Sequence, residues 1–474
     1  MNNFKQLYSI IANPKKIHFW IIIFFIIRLY GITNPPLEVA HNWRQTTVTM
    51  VARNFFEVDA NIFYPRIDIA GEKSGITGME FPFFNYLIYL VSIVFGYQHW
   101  YGRLINLIVS SFGIFFFSLL VKKHFSERIS LFASIILLVS IWFAYSRKIM
   151  PDTFSVSFTI IGLYYGSNYL ESNYKKIHLL LAYFVFTTLG VLSKLPSGHL
   201  LILYMPLLLI NRGNTKAIIL FIISSVVSVF IIGAWYYFWV PYLVKEYGFW
   251  HFFMGNTISA GTKEIIENLN LTLSRFYETA LKYIGFFVFL FGLANAFYKK
   301  NKKLTTIFIL SFFSFLIIIL KAGFTFSRHS YYIIPFVPIM ALIAGYGLDT
   351  IKSKKVVLPI LIIISLEGVL NQQHDFRIKD KETALLNLET DLNEFSNNND
   401  LIVINSNEYP TPMYFAHRKG WVANNEDLLN KDYIEKLKEN GLKQIIILKK
   451  SFGIDINLPY EKNIDNSNYT IYTP

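Results

Sequence analysis

The 474-residue sequence has no cysteine. That excludes disulfide bonds, thiol nucleophiles and cysteine-ligated zinc, and leaves the cellular compartment open. Charge is scarce: Asp, Glu, Lys and Arg make up 16% of the residues, against 53% hydrophobic and 18% aromatic. Neither a G-x-x-x-x-G-K-[ST] phosphate loop nor a G-x-G-x-x-G dinucleotide turn is present, so neither of these nucleotide-binding motifs points to a nucleotide ligand. No repeat of fixed period occurs, and charges collect at the ends of apolar runs. Both features argue against a transporter built of repeated halves around broken helices. Acids are the minority, at 31 to 44 Lys and Arg, for a formal charge of +13. The bases are scattered between apolar runs instead of lining one soluble face, which counts against nucleic-acid binding.

What is present is a succession of apolar runs of about 16–22 residues, the length that crosses a bilayer core. The chain reads as an α-helical polytopic membrane protein. The first run lacks a small-residue cleavage site, so it reads as an uncleaved helix over about 17–33. Further spans are expected over 101–121, 129–147, 152–171, 177–193, 197–211, 216–240, 281–298, 304–321, 329–350 and 355–370. The run 81–95 is short and reads as interfacial or re-entrant. With it excluded, five basic loops fall on one side: Lys122, Lys123 and Arg128; Lys175 and Lys176; Arg212 and Lys216; Lys299, Lys300, Lys302 and Lys303; Lys352, Lys354 and Lys355. Positive charge marks the cytoplasmic side. This gives about eleven spans in the cell (inner) membrane, with the N-terminus, including Lys5, inside and the C-terminus outside.

Two outer loops are long. The first, 34–100, mixes acids, arginines, histidines and aromatics, and Asn42 to Phe56 within it reads as an amphipathic helix on the membrane surface. The second, Pro241 to Tyr283, carries Gly248, Gly255 and Gly261 and reads as a loop or lid. The chain then divides into a membrane domain, 1–370, and a soluble domain, 371–474, rich in Asn, Asp, Glu and Lys. In the latter, L-I-V-I-N (401–405) and Q-I-I-I-L (444–448) read as buried strands flanking an amphipathic helix that ends at Gly441.

Basic residues on the outer side run against the positive-inside trend. Arg66, Arg147, Lys194 and Arg328 are candidate contacts for an anion at membrane depth, where the natural anion is a lipid phosphate or pyrophosphate. Asp68, Glu80, Asp152 and Glu38 are candidate general bases that would deprotonate an acceptor as it attacks a carbon bearing a phosphate leaving group. Ion pairing with neighbouring arginines is the plainer alternative for Asp68 and Glu80, and a helix cap is the plainer one for Asp152. His41, Trp43, Arg44, His329 and Tyr331 are candidate sugar or acceptor contacts, with interfacial anchoring the alternative for the aromatics. His41, Glu38 and the other acids could also hold a divalent cation, although no ligand spacing recurs.

Several segments together resemble the type C (GT-C) glycosyltransferases, in particular the protein O-mannosyltransferase and lipid A aminoarabinose transferase group. They are H-N-W-R-Q with A-R-N-F (41–55), Y-P-R-I-D (64–68), E-F-P-F-F-N-Y-L (80–87), S-R-K-I-M-P-D-T (146–153), L-S-K-L-P-S-G (192–198), H-S-Y-Y-I-I-P-F-V-P (329–338) and A-H-R-K-G-W (416–421). The resemblance implies a GT-C bundle with a small extracytoplasmic α/β domain. It implies a polyprenyl-phosphate-linked sugar donor and a lipid, glycan or protein acceptor. It also implies Asp152 as the acid of the second outer loop and Lys194 as a phosphate contact. The chain departs from the group at W-R-Q-T-T, where related enzymes often carry an acid and this one has Thr46 and Thr47. The base therefore stays open among Asp68, Glu80 and Glu38, in that order. The rival readings are a lipid-linked polysaccharide transporter or flippase and a catalytically inactive subunit of an envelope glycan system.

Overall fold

The computed structural model describes residues 13–172, 174–211, 213–248 and 255–474. Lys5, Arg212 and part of the 241–283 loop lie outside the described residues. The chain separates into two compact units. One comprises Met1–Ile32, Arg103–Tyr236 and Phe253–Gln373; the other comprises Thr33–Gly102, Tyr237–Phe252 and His374–Pro474.

The first unit is helical. Across the described residues, five helices are long and apolar enough to cross a membrane: Tyr101–His124, Thr215–Tyr247, Lys302–Ala322, Ser330–Thr350 and Lys354–Phe376. A sixth is formed if Leu269–Ala280 and Lys282–Tyr298, bent by 95°, count as one span. Ile17–Arg28, Ile177–Ser193, Leu195–Ile210 and, in the second unit, Phe83–Phe95 are shorter apolar helices. At 1.5 Å per residue the 13-residue helix Phe83–Phe95 is about 20 Å long, short of the roughly 30 Å hydrocarbon core.

The run expected as one span over 129–147 is broken. Its helix ends at Val139, and Ser140 turns to an extended conformation. Gln372 stabilises the break by donating from Nε2 to the Ser140 carbonyl at 2.9 Å. The helices Pro151–Leu170 and Ile177–Ser193 pack closely because Gly162 and Gly190 present no side chain at the crossing. A Cβ on Gly162 would lie 2.3 Å from Thr187 Oγ1, and one on Gly190 would lie 2.7 Å from Thr159 Oγ1. Small residues serve this purpose where lipid offers no hydrophobic drive for helix association.

In the second unit, Asn42–Glu57 forms the expected helix, but not a half-exposed one: every residue from Arg44 to Phe55 is buried. Its threonines are compatible with burial because their hydroxyls bond back one turn, Thr47 Oγ1 to Trp43 O and Thr49 Oγ1 to Gln45 O, each at 2.8 Å. One apolar core joins this helix to the C-terminal segment, through Met50, Val51 and Phe55 against Leu388, Leu392, Met413 and Ile446.

The C-terminal segment carries a five-stranded sheet: β1 (Leu401–Ile404), β2 (Gly420–Val422), β3 (Leu442–Leu448), β4 (Glu461–Asp465) and β5 (Tyr469–Thr473), in the order β2-β1-β3-β5-β4. β1 is parallel to β2 and β3, and β5 is antiparallel to β3 and β4. The apolar run of β3 is buried except at Lys443, as a central strand covered on both faces requires. Edge strand β4 carries Glu461, Lys462 and Asp465, charges that discourage further pairing. The helix expected between β1 and β3 is Lys431–Glu439; Asn430 caps it by accepting from the Asp432 and Tyr433 N–H groups.

Candidate active site

Two backbone breaks position the chemistry of the helical unit. Met150 is extended, and Pro151 then opens the helix Pro151–Leu170, setting Asp152 in its first turn. Lys194 is also extended, between the helix Ile177–Ser193 and the 3-10 helix that starts at Leu195 with Pro196 as its second residue. Each break releases one side chain from its helical row. The two meet: Lys194 Nζ lies 2.7 Å from Asp152 Oδ1. Asp152 is 4% exposed, and its Oδ2 has no hydrogen-bond partner among the described residues. The N-cap residue is Met150, which makes no side-chain cap bond. Lys194 Nζ stands 4.6 Å from the centre of the Tyr331 ring and 5.7 Å from that of Tyr332, within cation–π range. His329 stacks on Tyr331 at 5.3 Å, so Asp152, Lys194, Tyr331 and His329 form one chain of contacts. Arg328 is exposed, and no hydrogen bond or ion pair links it to Asp152 or Lys194 among the described residues.

The segment before Asp152 is held by one residue of the helix Tyr101–His124. Asn106 is fully buried and donates from Nδ2 to the carbonyls of Tyr145, Lys148 and Met150 at 3.0, 2.8 and 3.2 Å. Its Oδ1 accepts from Ser110 and Thr153. Arg147 donates to the carbonyls of Tyr30 and Gly31, and Lys148, also buried, lies 5.7 Å from the Tyr145 ring centre. Arg28 bonds Ser146 Oγ and the Phe24 carbonyl. These contacts of Arg28, Arg147 and Lys148 are to neutral oxygens and a ring.

The remaining candidates belong to the other unit. Asp68 is 8% exposed. Its Oδ2 accepts from Arg53 Nη2 at 2.8 Å and its Oδ1 from Asn54 Nδ2 at 2.7 Å. Arg53 also donates to the Tyr414 carbonyl at 3.0 Å and lies over the Tyr414 ring at 4.6 Å. Burial works against the Arg53 charge, but Asp68, followed by Tyr414, outweighs it and raises the guanidinium pKa above its ordinary value. Glu80 is buried and ion-paired to Arg44. Arg66 pairs with Asp59 at 2.9 Å. Glu38 is fully buried and its backbone bridges to Ile378. His41 occupies the N-cap position of the helix Asn42–Glu57 in the left-handed region, φ 59°, and Trp43 is partly buried. Thr46 contacts Thr411 through their hydroxyls at 3.1 Å. No group of three or more His, Asp or Glu suited to a metal occurs among the described residues.

Sequence reading missed Asn106, Tyr332 and Tyr145 and gave Lys148 no specific role. Asn106 had a signal: it lies four residues before Ser110 in an otherwise apolar run, and polar residues at that spacing share one helix face. Lys148 had one too, as half of an Arg-Lys pair at a span end.

Residues 80–238 match the family described as dolichyl-phosphate-mannose-protein mannosyltransferase. Among curated proteins, no sequence match is found. Among solved structures, the chain is similar to ArnT from Cupriavidus metallidurans bound to undecaprenyl phosphate, at 11% identity and a TM-score of 0.61, covering 96% of this chain and 97% of that one. It is also similar to the oligosaccharyltransferase AglB from Archaeoglobus fulgidus in complex with an inhibitory peptide and a dolichol-phosphate, at 12% identity and a TM-score of 0.55, covering 90% of this chain and 69% of that one. The matched segment, the apolar helices and the shared architecture make this an integral membrane protein of the type C glycosyltransferase fold.

Proposed function

We propose that the protein transfers a sugar from a polyprenyl-phosphate-linked donor to a lipid, glycan or protein acceptor at the extracytoplasmic face, with Asp152 as the base and Lys194 as the contact to the departing phosphate. The observation that carries this reading is the Asp152–Lys194 pair: a buried carboxylate tied to an ammonium through one oxygen, with the other left without a hydrogen-bond partner among the described residues. Lipid phosphates in the solved structures of ArnT and AglB support the donor class.

The chemistry follows from those two atoms. The acceptor hydroxyl or amine attacks the anomeric carbon and gives its proton to Asp152 Oδ2. The bond from that carbon to the phosphate oxygen breaks, its electron pair leaves with the phosphate, and Lys194 stabilises the charge that develops there. A phosphate needs no proton to leave, so one base and one cation suffice. Tyr331 restrains the ammonium from its ring face, and Asn106 fixes the backbone that presents Asp152. Asp68 and Glu80, with their arginine partners, are assigned to holding the other unit together.

The test is release of polyprenyl phosphate by purified protein in lipid, across a panel of polyprenyl-phosphate sugars, with Asp152→Asn, Asp68→Asn and Glu80→Gln alongside. Wild-type release that is lost in Asp152→Asn, with donor binding kept, is the expected result. Full activity of Asp152→Asn would move the base elsewhere. A wild type that binds donor and releases nothing would favour the carrier or inactive-subunit reading.

A further inference from the structure

A cavity of about 400 Å³ lies within the helical unit, a size typical of small-ligand sites. Its inner wall is apolar and buried, formed by residues such as Phe117, Ile160, Leu163, Leu200, Ile339 and Leu342. Its other end is polar: His124, Ser167, Lys302 and Lys303 line it, and both lysines are exposed. Along the helix Pro151–Leu170, Ser167 lies fifteen residues beyond Asp152, about 22 Å at 1.5 Å per residue. The cavity therefore opens at the end of that helix opposite to Asp152, among the basic loops.

The charge at this mouth is lopsided. Lys299, Lys300, Lys302 and Lys303 fall within five residues. Lys303 donates to the His124 carbonyl at 2.6 Å and lies 5.0 Å from the Phe125 ring centre, contacts that keep its charge. Glu171 is occupied by Lys123 at 2.8 Å, and Ser167 Oγ lies 3.1 Å from His124 Nε2. An apolar slot with lysines at its exposed end is complementary to one kind of molecule: an amphiphile with a single chain to bury and an anionic head.

We propose that this cavity is a binding site for an anionic phospholipid, which inserts one acyl chain between the helices and places its phosphate on Lys302 and Lys303. The site is separate from the Asp152–Lys194 pair and does not depend on the reaction assigned to it. Tight retention of one lipid here would couple the helices Tyr101–His124, Pro151–Leu170 and Lys302–Ala322, whose ends form the mouth.

The test uses the full chain in nanodiscs of equal phosphatidylglycerol and phosphatidylcholine, followed by detergent extraction, delipidation and mass spectrometry of retained lipid. Phosphatidylglycerol is expected to be retained about tenfold over phosphatidylcholine. Leu342→Trp, which fills the slot, and the double substitution Lys302→Gln with Lys303→Gln, which removes the head contact, should each abolish that excess. Lys302→Arg with Lys303→Arg should restore it, which separates loss of charge from loss of fold. Equal retention of the two lipids, or an excess unchanged by both the filling and the neutralising variants, would overturn the proposal. So would retention of added polyprenyl phosphate in place of phospholipid, because the slot would then belong to the carrier.

Discussion

Asp68→Asn separates a structural carboxylate from a catalytic one. The side chain is 11% exposed and its Arg53 partner 6%, so the pair is largely out of water. The substitution keeps the Asn54 bond available but removes the charge facing Arg53. Removing one partner of a buried ion pair costs about 3–5 kcal/mol. Here the lower end is expected, because the Tyr414 carbonyl at 3.0 Å, the Tyr414 ring and Glu57 at 4.0 Å remain around the guanidinium. A loss of about 3 kcal/mol corresponds to a fall in melting temperature of about 6–12 °C in a unit of this size class. Thermal unfolding of the purified protein should show that fall. Hydrogen exchange should rise over residues 411–422, because Asp68 O accepts from Gly420 N at 3.0 Å and Arg53 holds Tyr414. Turnover per folded molecule, measured below the new transition, should stay within a few-fold of wild type. The opposite pattern, an unchanged melting temperature with turnover reduced about 10²–10⁴-fold, is what loss of a general base produces. It would refute the structural assignment of Asp68.

Other outcomes can be checked alongside. Lys194→Gln should lower kcat/KM about 10²–10³-fold, the usual cost of one donor to a developing anion, while Lys194→Arg retains more activity; steady-state kinetics on a polyprenyl-phosphate sugar measures both. Asn106→Leu should remove one hydrogen bond from each of the carbonyls of Tyr145, Lys148 and Met150 at about 1 kcal/mol each, with Tyr145 O keeping Lys148 N and Thr153 Oγ1, so its melting temperature and turnover should fall together; an unchanged melting temperature would remove Asn106 as the hub of that segment. His417 accounts for a pH dependence. Its ring lies 2.9 Å from Glu57 and 2.6 Å from Glu389, and the Glu57 hydrogen bond is the main force raising its pKa above 6.5. A raised folded pKa gives stability that is fully present below 6.5 and lost as pH climbs through the folded value. Stability of the unit containing residues 374–474 should therefore decline as pH rises above 6.5, and His417→Asn should flatten that decline in a melting series.

Much of the fold was legible along the chain. Membrane character follows from apolar runs, and the α/β segment from β1, β3 and the helix Lys431–Glu439 follows from local periodicity and an Asn cap, all nearest-neighbour information. Asp152 could be named as the acid that follows Pro151 at a helix start, and Lys194 as a base at the end of an apolar run. Their 2.7 Å approach could not, because it depends on two helices crossing at Gly162 and Gly190. The sequence likewise showed that acids and arginines crowd the segment 34–100. It left open whether each acid faces a substrate or an arginine, because pairing across 15 residues for Asp68 and Arg53, or 36 for Glu80 and Arg44, depends on chain trajectory. A surface helix was the natural reading of Asn42 to Phe56, with its threonines and arginines. Tertiary structure buries that stretch, since the hydroxyls bond their own backbone and Arg53 finds Asp68 and Tyr414. What the residues determined by themselves is where the chain is apolar, where it breaks and which charges sit at the breaks. Which charge meets which was decided only by packing, because Coulomb and hydrogen-bond energies act over a few ångströms and those distances exist only in the folded chain.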